Sequence, residues 1–191
     1  MESYLESIKK QFTYYKHLGE QTMVQTSDEK LTWQYNEDSN SIGTIVKHLW
    51  GNMLSRWTDF LNADGEKTWR ERDTEFENDL TTRAEILEKW EEGWACLFNA
   101  INHLTPDNLE DIIYIRNQGH TVVEALNRQL AHYASHVGQI IFLGKMANTG
   151  SWKSLSIPKG NSQQFNAEKF AQPKYKSHFT DDYLENKKGR E

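Results

Sequence analysis

The chain has 191 residues, with 22 Lys and Arg against 28 Asp and Glu and a formal net charge of −6, so it lacks the basic stripe of a phosphate-backbone binder, which argues against nucleic acid as a partner. Its single cysteine, Cys96, rules out an intrachain disulfide and a multi-cysteine metal site. Nowhere do the roughly 18 consecutive apolar residues of a membrane span occur, and the opening Met-Glu-Ser-Tyr-Leu-Glu-Ser has no signal-type apolar run, so the expected location is the cytoplasm.

The first helix is written in Tyr4, Leu5, Ile8, Phe12, Tyr15, Leu18 and Thr22, which recur at steps of three and four as a one-sided apolar stripe requires. A second begins after Asn40-Ser41, where the Ser41 hydroxyl can accept from an unpaired backbone amide. It runs through Ile45, Leu49, Trp50, Met53, Leu54, Trp57, Phe60 and Leu61 to a stop at Asp64-Gly65. From Asp64 to Thr81 charge crowds out apolar positions, which predicts a long solvated connection.

The third helix opens on Thr82-Arg-Ala-Glu85, a spacing that lets Thr and Glu each satisfy a first-turn amide, and continues through Ile86, Trp90, Trp94, Leu97 and Ile101 to Pro106. Ile112-Ile113-Tyr114-Ile115 is β-branched and aromatic and reads as a short strand, with Leu31-Thr32-Trp33-Gln34-Tyr35 as its expected partner. Thr121-Val-Val-Glu124 repeats the capping pattern ahead of a fourth helix that runs to about Met146, before Asn148-Thr149-Gly150 breaks it. These elements predict an all-α fold: an antiparallel four-helix bundle over residues 1–149 that binds metal, with long connections and a short two-stranded pairing. Residues 150–191 carry Pro158, Gly160 and Pro173 without sustained periodicity and read as an irregular extension, packed on the bundle or partly disordered.

Three histidines carry the chemistry. His132 and His136, four apart on the fourth helix, lie on neighbouring turns and point the same way, on a face shared with Ala125, Gln129, Ile140 and Leu143. His48 sits among Ile45, Leu49 and Met53 on the second helix. Burying three imidazoles leaves polar nitrogens to satisfy, and one divalent ion satisfies all three while keeping a tetrahedral position open for water or substrate. The residue after His132 is Tyr133 rather than the Glu of zinc proteases, which lowers protease chemistry. Asn52, one turn beyond His48, is a candidate for orienting a ligand from behind, and Trp50 and Trp57 are candidates for walling a pocket beside His48. His17, His103, His120 and His178 have no partner spacing. Asp64-Gly-Glu-Lys67 lacks the glycines and the following Ser or Thr of a phosphate loop and reads as a turn.

Asn40-Ser-Ile-Gly-Thr-Ile-Val-Lys-His48, Gly51-Asn-Met-Leu-Ser-Arg-Trp-Thr-Asp-Phe60, Asp64-Gly-Glu-Lys67, the stretch from His120 to His132, His136-Val-Gly-Gln-Ile140 and Leu155-Ser-Ile-Pro-Lys-Gly160 together resemble the DinB/YfiT-like superfamily, and within it the YizA-like subfamily of bacterial proteins. The resemblance implies a four-helix bundle, often a homodimer, with nickel or zinc held by one His of the second helix and two of the fourth; those fall on His48, His132 and His136. It further implies a metal-dependent enzyme that transfers a low-molecular-weight thiol, such as mycothiol, glutathione or bacillithiol, to a small electrophile. A metal-dependent hydrolase of a small molecule and a non-catalytic protein stapled by its metal are the alternatives. The charged connection and the segment after Met146 depart from the shorter thiol transferases, so the substrate does not carry over.

Overall fold

A computed structural model describes residues 2–148, 150 and 152–184. Thr149, within the predicted break, and positions 185–191 of the expected extension lie outside the described residues. The fold is mostly helical with a small two-stranded sheet. Four long helices, α1 (Glu2–Gln25), α3 (Ile42–Trp57), α4 (Arg83–Asn102) and α5 (Val122–Ala147), are joined by the short α2 (Asp28–Leu31), by 3-10 turns at Asp73–Phe76 and Pro106–Asn108, and by strands β1 (Ile112–Ile115) and β2 (Gln118–Thr121).

The helix starts follow local chemistry. The Ser41 hydroxyl accepts from the Thr44 amide at the head of α3, and Thr82 with Glu85 and Thr121 with Glu124 form complete capping boxes on α4 and α5, each offsetting amides that have no partner inside the helix. Helix α3 packs against α4 and α5, and α1 against α5 and α4. Between them lies one apolar core in which Phe12, Trp90, Trp94, Leu97, Tyr133, Val137 and Ile140 are sealed from solvent. Phe12 meets Trp57, Trp94 and Tyr133 at centroid distances of 6.5, 6.5 and 6.0 Å, so one ring from α1 ties three helices together.

Several expectations are corrected. Helix α3 ends at Trp57, and Asp59 follows with φ 48°; Phe60 reaches the core from a turn rather than from the helix. Strand β1 pairs with β2, Ile112 opposite Thr121 and Ile115 opposite Gln118, and Leu31 belongs to α2. The two-residue hairpin loop, Arg116 and Asn117, takes φ of 55° and 61°, the left-handed pair that matches strand twist. Asp64 secures it: its two carboxylate oxygens each accept one amide of the loop at 2.8 Å.

The extension after Gly150 also carries helices, α6 (Ser162–Phe170) and α7 (Asp181–Leu184). It is pinned to α1 by Lys10 donating to Asp181 at 2.9 Å, by a Ser7–His178 hydrogen bond, and by Phe179 and Tyr183 against Tyr14. Among the described residues no helix is long and apolar enough to cross a membrane.

Candidate metal centre

Helices α3 and α5 bring His48, His132 and His136 together. The Nε2 of His132 lies 3.3 Å from that of His48 and 3.1 Å from that of His136, and all three ligand atoms fall within 4.8 Å of one another. A tetrahedral ion with metal–nitrogen bonds of about 2.0–2.1 Å has ligand–ligand edges of about 3.3 Å, so the two measured edges already match a chelate. His48 is buried and the other two are half-buried. The cluster could hold a metal ion.

Protonation favours the same conclusion. Burial, followed by the neighbouring His136 and His48, pushes His132 down to about 3; burial lowers His136 as well, against the raising effect of its bond to Gln139. Rings kept neutral offer lone pairs, the form a metal requires.

The far side of each outer ring is fixed. His136 Nδ1 meets Gln139 Oε1 at 2.8 Å, and His48 Nδ1 meets Glu75 Oε2 at 2.9 Å. Glu75 comes from the 3-10 turn inside the charged connection, only 4 % exposed. Arg70 donates to both its oxygens, Nε to Oε1 at 2.7 Å and a terminal nitrogen to Oε2 at 2.9 Å. Burial pushes the Glu75 carboxyl up, but the hydrogen bonds from His48 and Arg70 outweigh it and hold the group below its ordinary value. Phe76, the next residue, stacks on the His48 ring at 4.7 Å and 28°.

The 64–81 segment is therefore solvated only in part. Its inner side joins Arg56 of α3 in a chain of charges, Arg56 to Glu66 at 3.0 Å and Glu66 to Arg70 at 3.2 Å, that leads to Glu75 and His48. The sequence reading missed Glu75, Arg70, Phe76 and Gln139. Gly51, three residues after His48, was the available signal, because a side chain there would collide with Glu75.

Asn52 is buried, but it accepts from the Tyr133 hydroxyl at 3.0 Å, which in turn accepts from Trp57 Nε1 at 2.9 Å. Its bond is to the residue beside His132 and not to a ligand. Trp57 packs in the core, and Trp50 donates to Glu92 beneath the Lys89 ammonium, so His48 has Phe76 and not a tryptophan against its face.

A cavity of about 500 Å³, lined by Ser39, Asn40, Ser135, Gln139, Phe142 and Leu143 among others, has none of the three histidines in its wall and meets the cluster through Gln139. Gln139, which holds His136, is one of its walls. A larger cavity of about 830 Å³ lies between α1 and the C-terminal extension, and none of the three histidines lines it.

A family model described as "Protein of unknown function (DUF1572)" matches residues 1–161. No curated protein and no solved structure matches the chain.

Proposed function

We propose that this chain, which belongs to the DUF1572 family, is a divalent-metal-dependent enzyme of the DinB-like class that transfers a low-molecular-weight thiol to a small electrophile. The observation that carries the reading is the convergence of three imidazoles from α3 and α5, with His132 Nε2 at 3.3 and 3.1 Å from those of His48 and His136, near a tetrahedral edge length, and with no carboxylate among the ligands. Their origin agrees with the one-plus-two ligand pattern of the DinB/YfiT-like superfamily. The packing of α1, α3, α4 and α5 agrees with that superfamily's antiparallel four-helix bundle.

Zinc or nickel is the proposed ion, since three imidazoles and an open position suit both. When bound it supplies a Lewis acid, which lets a thiol lose its proton well below the free-thiol pKa of about 8.5. In such a transfer the thiol sulfur would bond to the electrophilic carbon, the leaving group would depart with the electron pair of its broken bond, and the thiol proton would pass to solvent. The chain's own residues do the rest. Glu75 and Gln139 hold two ligand rings, Phe142 and Leu143 offer an apolar wall, and Ser39 and Asn40 offer polar groups to orient a small molecule in a cavity of ordinary ligand size. A cytoplasmic homodimer is the proposed assembly, supported by exposed Phe142 and Met146 one turn apart on α5.

One observation favours hydrolysis as a second reading: Asp38 lines the same cavity and is a carboxylate within the pocket wall that could serve as a base. Incubating zinc- or nickel-loaded protein with bacillithiol or glutathione and a panel of electrophiles separates the two. Conjugates that chelation and His136→Ala both abolish support thiol transfer. Ester or amide hydrolysis without any conjugate overturns it.

A further inference from the structure

We propose that Glu75, clamped by Arg70, is the positioning residue of this metal centre: it fixes His48 as the Nδ1–H tautomer and aims its Nε2 at the ion, and Gly51 is glycine to make room for it. The inference rests on the metal-site reading above and adds to it a role for a segment that otherwise looks like a surface loop.

The geometry is specific. A carboxylate that takes two hydrogen bonds from one guanidinium is ionised and can only accept, so the 2.9 Å contact to His48 Nδ1 requires that nitrogen to donate. The ring's remaining lone pair then lies on Nε2, the atom that faces His132. A carboxylate behind a ligand histidine also raises the basicity of the ring, which strengthens its bond to a metal. Gln139 does the same orienting work for His136 with a neutral amide oxygen; it supplies direction without charge.

The turn grips His48 from two sides. Glu75 takes the ring edge, and Phe76 covers the ring face. Because both come from Asp73–Phe76, the charged connection and the metal ligand are one mechanical unit. A Cβ on Gly51 would stand 2.4 Å from Glu75 Oε1 and 2.7 Å from its Cδ, closer than atoms approach, and the two hydrogen bonds from Arg70 hold that carboxylate in place. The three atoms nearest to that Cβ all belong to Glu75, and a glycine inside a helix costs roughly 0.5–1 kcal/mol relative to alanine.

The test compares metal affinity, measured by chelator competition, with fold stability. Zinc dissociation constants are determined for the full chain and for Glu75→Gln, Glu75→Asp, Gly51→Ala and Glu85→Ala, with circular dichroism melts alongside. Glu75→Gln and Gly51→Ala are expected to weaken zinc binding roughly 10–100-fold and to alter the cobalt absorption spectrum. Glu75→Asp keeps the charge beside Arg70 and withdraws it from His48 by a methylene, so it should also bind more weakly even if the Gln variant folds poorly. Glu85→Ala removes the capping box at the head of α4, which carries none of the three histidines, and should lower the melting temperature without changing zinc affinity. In metal-free protein, ¹⁵N chemical shifts should show His48 protonated at Nδ1. Zinc affinity unchanged in both Glu75 variants, or His48 protonated at Nε2, overturns the role of Glu75 and leaves the metal site standing. A wild-type chain that binds no zinc, nickel or cobalt overturns both.

Discussion

The Nε2 atoms of His48 and His132 stand 3.3 Å apart although the residues are 84 positions apart in the chain. Lone pairs at that distance gain nothing from one another unless a proton or an ion lies between them, so an ion bound there couples α3 to α5. A ligand that binds only the folded state stabilises it by about 4 kcal/mol at a thousand times its dissociation constant. For a chain of this size that amounts to a rise in melting temperature of roughly 8–16 °C. Scanning calorimetry with and without zinc should show the rise, and His48→Ala should remove it.

The metal-free protein should weaken in acid. His132 is held at about 3 against an ordinary value of 6.5, by burial first and then by His136 and His48, and His136 is lowered in the same direction. Below 6.5 the unfolded chain takes up protons that the folded chain refuses, so stability falls as pH drops from 6.5 toward 3 and is unaffected by these groups above it. Urea midpoints between pH 7.5 and 4.5 should decline, and His132→Ala should flatten the decline. A midpoint that rises in acid would contradict the assignment.

Gly19 on α1 is a contact glycine. A Cβ there would lie 2.4 Å from two ring carbons of Trp90, which is 1 % exposed and walled by Trp94. Gly19→Ala should destabilise by about 1–3 kcal/mol, outweighing the gain of up to ~1 kcal/mol that alanine brings to a helix. Equilibrium urea unfolding measures it; a stabilised variant would contradict the packing described.

Asp64 is the clamp of the β1–β2 hairpin rather than the end of a helix. Its carboxylate accepts from the amides of Arg116, Asn117 and Glu66 at 2.8, 2.8 and 2.7 Å. Asp64→Ala should cost about 1–3 kcal/mol, since charge-assisted bonds are lost together. Hydrogen exchange should quicken first at Arg116 and Asn117, while zinc affinity stays unchanged.

What the sequence disclosed and what it concealed follow from the range of the forces involved. Ser41, Thr82-Glu85 and Thr121-Glu124 act within one helical turn, so their spacing alone announced the starts of α3, α4 and α5. His132 and His136 were visible for the same reason, and His48 because its neighbours Ile45, Leu49 and Met53 mark an inward face. Glu75 had no such mark. Among the charges from Arg70 to Asp79 it looks like any other acid, and its burial depends on Arg70, on His48 and on a hydrogen at Gly51, all set by tertiary packing. Strand β2, Gln118-Gly119-His120-Thr121, has no alternating apolar face, and its turn is imposed by Asp64 from across the fold. Helix α6 buries none of its residues, so no apolar stripe announced it.

The most direct test is the metal content of the chain, by inductively coupled plasma mass spectrometry, after purification without added metal and after reconstitution with zinc or nickel. One divalent ion per wild-type chain, with little retained by His48→Ala, His132→Ala or His136→Ala proteins that keep their helical circular dichroism, is the predicted result. Stoichiometric metal in the His132→Ala protein, or none in the reconstituted wild type, would contradict it.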